Sequence, residues 1–381
     1  EYIHFIQAIT SFYGYSGIYS HGEYIRRVIN DVYMKKNPVH VPINIEDKED
    51  CVLLNKKISE FSLGDKGDRS NIFIINDVFI ESCPLTETYQ LKELHIKALV
   101  DNKTEEIIVG AYAIRENMAY LLERMCTTKY KSSAEFPYQI VECLAKKICP
   151  QLSNLDLIAL CDIALQSSIP SPSLYLMLDA ISKGKMRINK PEDIYDFYFS
   201  QKVSFLNQIM TTSDALRTAA NLAIEHLLSY VNIKSLSQEY QEWVHFTISA
   251  SIELRLRRPY FFLEMAKGGK NKRNGVLQFI AKNIGSPQMV NKKGKRFQLV
   301  TNRPICRFEY LEAVKEIENL FEYGTINCRL KSWCKMNPDS TPVDERCDNA
   351  PWLRCKDDFL CPYAVLWQHW NLSNKEIVVS K

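Results

Sequence analysis

The stretch CTTKYKSSAEFPYQIVECLAKKI, Cys126 to Ile148, divides into the end of an apolar run, a short polar loop and a helix. In its last part Ile140, Val141, Leu144 and Ile148 recur at the spacing of one helical face, behind Pro137, which suits a first turn. The loop before them decides the kind of domain. It is either an ordinary strand-to-helix connection or a cradle for an anion, because the unpaired N–H groups and dipole of a helix N-terminus attract negative charge.

Upstream, NIFIINDVFI from Asn71, LKELHIKALV, a polar DNKT turn and EEIIVGAYAIR alternate with period two and predict an antiparallel meander. MAYLLERMCT reads as a further strand leading into the loop. Downstream, LDLIALCDIAL is a continuous apolar run that reads as a buried strand, and SPSLYLMLDAI reads as a helix entered through Pro and Ser. Before the meander, Ile25, Val28, Ile29 and Val32 mark a helix in GEYIRRVINDVYMKK. His21, just ahead of it, reads as a capping or surface residue.

The polar KGKMRINKPED closes this first α/β region. Beyond it IYDFYFSQKVSFLNQIM, SDALRTAANLAIEHLLSYV and LSQEYQEWVHFTISASIELRLRR predict three amphipathic helices. FEYLEAVKEIENLFEYG is another helix, ended by Gly324. The expected class is α+β: a mixed sheet with helices over 1–185, a helical segment over 186–258, and a basic, cysteine-rich region over 259–381.

A hairpin, a strand, a polar loop, a helix, a strand and a helix, in that order, resemble the GNAT-superfamily N-acyltransferases over roughly Ile72 to Ser182. EIIVGAYAI looks like their third strand, AYLLERMCTTKY like their fourth, and Tyr130-Lys131 like the pair that opens their pyrophosphate loop. The resemblance implies an acyl-coenzyme A site at Cys126, Lys129, Lys131, Ser132, Ser133 and Ala134. It further implies Glu123 as the general base toward an acceptor amine and Tyr175 as the acid toward the leaving thiolate. The loop departs from the family where two glycines belong: Ala134 and Phe136 stand there. The domain is therefore either an acyltransferase or an inactive relative.

Charge points elsewhere. The chain is +3 overall, but Arg255 to Arg307 holds fourteen Lys or Arg against the one acid Glu264, making that window +13 and the remainder −10. Clustered cations neutralise nucleic-acid phosphates, and nearby aromatics stack on bases. Arg257, Arg258, Lys270, Lys272, Arg273, Lys292, Lys293, Lys295 and Arg296 are the candidate contacts to DNA or RNA; an acidic protein surface within a complex would suit the same charges. The window contains KGGKNKRNG, which lacks the Gly-Lys-Ser/Thr of a phosphate-binding P-loop.

The tail carries Cys328, Cys334, Cys347, Cys355 and Cys361, five of the chain's twelve cysteines. Thiolates at converging loop positions suit tetrahedral zinc or an iron–sulfur cluster. Their separations, five, twelve, seven and five intervening residues, match no C-x-x-C knuckle, and buried thiols or disulfides are the other readings. Trp333, Trp352, Trp367 and Trp370 would supply a core. A 44 kDa chain with 46% hydrophobic residues needs no disulfide staples, and neither a secretion signal nor a run of about 18 apolar residues is present; the expectation is a reducing cytosol, away from membranes.

Overall fold

The computed structural model describes residues 2–43, 51–69, 73–85, 89–128, 133–230, 238–270, 274–286, 289–290, 296–297, 308–336 and 343–380. In order the chain forms α1 (Tyr2–Thr10), α2 (Phe12–Met34), β1 (Val39–Val41), α3 (Cys51–Ser62) and the strands β2 (Phe73–Pro84), β3 (Gln90–Val100) and β4 (Lys103–Val109). Helices follow: α4 (Ala111–Cys126), α5 (Glu135–Tyr138), α6 (Ile140–Ile148), α7 (Asn154–Ala164), α8 (Pro170–Ser182) and α9 (Glu192–Phe199). A hairpin of β5 (Lys202–Phe205) and β6 (Gln208–Thr211) leads to α10 (Thr212–Tyr230), α11 (Gln238–Arg257), α12 (Phe261–Lys267) and α13 (Gly275–Asn283). Last come β7 (Met289–Val290), β8 (Arg296–Phe297), α14 (Phe308–Tyr323), α15 (Lys331–Met336), α16 (Arg346–Asn349), a 3-10 turn at Pro351–Lys356, α17 (Pro362–His369) and β9 (Ile377–Val379). The architecture is mixed α+β, with an early sheet, a long helical middle and a cysteine-rich end. No helix among the described residues is long and apolar enough to cross a membrane.

The chain divides into two compact units, each drawn from three segments: 1–18, 54–223 and 246–303 in the first, and 19–53, 224–245 and 304–381 in the second. The segments 186–258 and 259–381 each contribute to both units.

In the first unit β2, β3 and β4 form the expected antiparallel meander, with the DNKT turn at Asp101 and Asn102, both at positive φ. The sheet turns Leu94, Ile96, Ala98, Ile107 and Val109 into a core shared with Ile114, Met118 and Leu121 of α4 and Ile158 and Leu160 of α7. Each of these side chains except that of Ala98 contributes about 1.5–3 kcal/mol by leaving water.

Two segments expected as strands are helices. Gly110 ends β4, and beyond it Ala113, Ile114, Asn117, Met118, Leu121 and Leu122 are buried at helical spacing, so the segment taken for a fourth strand is α4. The run LDLIALCDIAL is α7, started by a capping box in which Ser153 accepts from the Asp156 N–H and Asp156 accepts from the Ser153 N–H. Every residue from Leu157 to Ala164 is buried, Asp162 included, so the run shows no solvent-facing polar side. A third segment, expected to be one helix, breaks into α9 and the β5–β6 hairpin at Leu206 and Asn207, both at positive φ.

In the second unit α14 lays Ile317, Leu320 and Phe321 against α17, where Trp367 sits between Phe321, Trp352 and Tyr363 with ring centroids 5.7, 6.4 and 5.9 Å away. Gly324, at φ +66°, ends α14 as expected. Strand β1 pairs in parallel with β9.

Candidate functional site

Four of the five tail cysteines face one another. Cys328, Cys334, Cys347 and Cys361 line a small cavity together with Arg354 and Tyr363. The Cys328 N–H donates to the Cys347 carbonyl at 2.8 Å, which ties the loop after α14 to α16. Cys334 lies on α15, and Cys361 caps α17 with Pro362 at its first position. Burial pushes the Cys328 thiol up to about 12 and Cys334 to about 11, and raises Cys361; each of these three also feels at least one other thiol of the group. Cys355 is buried but does not line the cavity; its carbonyl accepts from the Gln368 amide at 2.5 Å.

A positive charge is fixed at the same place. Arg354, 3% exposed, donates from Nη1 to Cys347 Sγ at 3.2 Å and from Nε to Asp357 at 3.3 Å. Arg346 holds Asp344 and Asp357 in turn, reaching Asp357 with two bonds of 2.8 and 2.9 Å. A buried guanidinium aimed at thiols is costly beside neutral sulfur and favourable beside an anionic thiolate centre. Among the described residues, no three of these sulfurs lie mutually within 4.8 Å.

A second cluster, which sequence reasoning missed, sits on the sheet face turned away from the core. Cys83, Glu93 and His95 form one group and Glu81, His95 and Glu106 another, the ligand atoms of each group lying within 4.8 Å of one another. Among the described residues they make two overlapping Cys/His/Glu sets able to hold a metal ion. The strand register builds them: Glu81 lies opposite Glu93, and His95 lies two residues along β3 on the same face. The Cys83 thiol donates to Glu93 Oε2 at 2.9 Å, an interaction that raises its pKa to about 11. The legible signal was the Glu-x-His alternation within LKELHIKALV, a polar stripe on a strand whose other face is apolar.

The residues implied by the acyltransferase resemblance are split. Glu123 and Cys126 of α4, with Ser133, line an open cleft of about 580 Å³ that Glu116, His4 and Tyr138 also border. His4 Nε2 stands 3.3 Å from Glu116; burial works to raise that carboxyl, but His4, with Arg115 and the N-terminal charge, holds its pKa below the ordinary value. Tyr175 is on α8, partly buried against the core and not among the cleft's lining. Ala134 immediately precedes α5, while Lys129, Lys131 and Ser132 lie outside the described residues. The helix behind the loop is α6, whose first N–H groups are accepted by Asn117 of α4, Val141 at 2.6 Å and Glu142 at 3.3 Å.

Among the described residues of the basic window, four cations have carboxylate partners. Arg255 is fully buried on Asp162 at 2.7 Å, Arg257 pairs with Glu253 at 3.0 Å, Arg258 with Glu264, and Lys267 with Glu192. Arg257 nonetheless keeps 80% of its side chain exposed, and the Arg258 guanidinium lies 5.4 Å from the ring of the exposed Phe279. Lys270 is exposed. Lys272, Arg273, Lys292, Lys293 and Lys295 lie outside the described residues, and Arg296 is described only as part of β8. No protein-family model, curated protein or solved structure matches the chain, so any functional reading rests on these residues themselves.

Proposed function

We propose that the chain binds nucleic acid through the stretch from Lys270 to Arg307 and that its C-terminal unit is organised by a four-cysteine metal centre. The observation that carries the first part is the distribution of charge. Arg255, Arg257, Arg258 and Lys267 pair with carboxylates, and the sequence that follows, from Lys270 to Arg307, holds ten lysines and arginines without one acid. Such a run neutralises a phosphate backbone and releases its counterions. The exposed Phe279 beside Arg258 is the kind of aromatic–cation pair on which an unpaired base stacks.

For the tail, the ligand set is Cys328, Cys334, Cys347 and Cys361. The convergence of these four on one cavity beside the buried Arg354 supports a four-thiolate zinc ion or iron–sulfur cluster, since either leaves an anionic centre that the guanidinium offsets. Such a metal centre would hold together a region otherwise built of short helices and turns. Titrating single- and double-stranded DNA and RNA against the intact chain and a variant with Lys270, Lys272, Arg273, Lys292, Lys293, Lys295 and Arg296 changed to Ser tests the reading. Binding by the wild type alone supports it, and equal binding by both refutes it.

A second reading, acyl-coenzyme A-dependent N-acyl transfer or an inactive relative of that class, keeps one specific support: Glu123, Cys126 and Ser133 border the same cleft. In it Glu123 would draw the proton from an acceptor amine. Acetyl-coenzyme A should then raise the melting temperature by mass action, and Lys131→Glu should abolish the rise. Absence of any rise at millimolar ligand would end this reading.

A further inference from the structure

The outward face of the sheet carries side chains that the nucleic-acid reading does not use. Glu93 is 4% exposed and its Oε1 has no hydrogen-bond partner; His95 is 5% exposed and its Nε2 has none either. Yet His95 Nε2 lies 3.4 Å from Glu93 Oε2. A buried carboxylate oxygen and a buried ring nitrogen, each without a hydrogen bond and belonging to side chains that stand this close, are costly as they are. They become favourable when both point at one cation.

We propose that Cys83, Glu93 and His95 bind a zinc ion, with Glu81 as its fourth ligand. The distances suit a tetrahedral ion: Glu93 Oε2 is 2.9 Å from Cys83 Sγ, and His95 Nε2 is 3.4 Å from Glu93 Oε2 and 3.8 Å from Glu81 Oε2. Bonds of about 2.0–2.3 Å place tetrahedral ligands roughly 3.3–3.8 Å apart, which the two His95 distances match, while the Cys83–Glu93 pair has to open and Glu81 has to close on the other two ligands. A set of one thiolate, one imidazole and carboxylates excludes calcium and magnesium, which take oxygen alone, and fits zinc.

The surroundings fix the imidazole in the required form. His95 Nδ1 stands 3.0 Å from Glu106 Oε1, so the Nδ1 proton goes to Glu106 and the Nε2 lone pair faces the cluster. Phe79 stacks on the ring at 5.4 Å and shields it from water. Charge points the same way. Glu81, Glu93 and Glu106 gather here, with Glu81 directly opposite Glu93, and Lys97 is the cation nearby, its Nζ 5.2 Å from the Phe79 ring. Facing carboxylates destabilise a strand pair unless a cation joins them. Glu81, with 52% of its side chain exposed, is free to swing onto the ion, which then pins β2 to β3.

The test uses the full chain. Zinc per chain is measured for the wild type, for Glu93→Gln and Cys83→Ser, and for Cys361→Ser as a control on the tail. The two sheet variants should each lose one equivalent of zinc and the tail control should keep it. Glu106→Gln, which removes no ligand, should weaken zinc binding about 10–100-fold. A readout that needs no variant is alkylation of Cys83 in the wild type, followed by mass spectrometry: bound zinc should protect the thiol, and prior chelation should expose it. Unchanged zinc in both sheet variants, zinc lost only with Cys361→Ser, or equal Cys83 alkylation with and without zinc would each overturn the proposal.

Discussion

Replacing Asp162 by Ala removes the partner of the most deeply buried charge in the first unit. Arg255 has no exposed surface; its Nη1 and Nη2 donate to Asp162 Oδ2 and Oδ1 at 2.7 and 2.8 Å, its Nε donates to the Thr10 carbonyl at 3.0 Å, and Phe261 lies 4.6 Å from the guanidinium. Burial works against this charge, but Asp162 more than offsets it and the pKa of Arg255 is raised. In Asp162→Ala the guanidinium keeps only neutral oxygens, those of Thr10 and the Pro259 carbonyl at 3.3 Å, and the Tyr195 hydroxyl loses its acceptor at 2.8 Å. Breaking one side of such a pair costs about 3–5 kcal/mol. In a unit of this length each kcal/mol shifts the melting temperature by about 2–4 °C, so calorimetry should show the first unit's transition fall by roughly 6–20 °C. The double variant Asp162→Leu, Arg255→Met should recover most of that loss, because apolar pairs of similar volume replace buried ion pairs at little cost. A single variant within about 3 °C of wild type, or a double variant no better than the single, would refute the reasoning.

Other outcomes follow from equally local features. Cys347→Ser and Cys361→Ser should strip metal from the tail, whereas Cys355→Ser, outside the cavity, should leave the metal content unchanged. Gly110→Ala would drive a methyl group to 2.2 Å from the Leu63 backbone and should cost about 1–3 kcal/mol or more, while Gly17→Ala, with nothing within 4 Å inside a helix, should stabilise by up to about 1 kcal/mol; urea melts read both. Burial lowers the pKa of His226 below its ordinary 6.5 despite Glu23 at 3.1 Å. The unfolded chain therefore binds the proton more readily, the stability His226 contributes is present above pH 6.5 and lost as pH falls below it, and His226→Gln should flatten the melting-temperature profile there.

What the sequence revealed depended on whether a local signal was unique. The meander was legible because period-two alternation and the Asp101-Asn102 turn have one structural meaning. The α7 run was not, since a continuous apolar stretch suits a buried strand or a buried helix alike; the Ser153-x-x-Asp156 capping box was the overlooked discriminator. The α9 segment failed at Asn207, a turn residue hidden among apolar neighbours. At the candidate sites, clustering in sequence announced the tail cysteines but could not separate Cys355 from the other four, because convergence depends on how α15, α16 and α17 fold together. The Cys83–Glu93–His95 cluster was legible only in its Glu-x-His part for a related reason: it is assembled across strands, and only the register of β2 on β3 brings Glu81 opposite Glu93. Likewise, the pairing of Arg255 with Asp162, ninety-three residues apart, places the first residue of the basic window in the core.

The most direct test is the salt dependence of nucleic-acid affinity, compared between the wild type and the variant with seven Ser substitutions. Each phosphate neutralised contributes about 0.7 to the slope of log affinity against log salt for a single strand and about 0.9 for a duplex. The account predicts a steep wild-type slope that becomes shallower by up to about 5 on single strands when Lys270, Lys272, Arg273, Lys292, Lys293, Lys295 and Arg296 are replaced, with affinity falling at every salt concentration. Identical slopes and affinities for the two proteins, or no binding by the wild type at low salt, would contradict it.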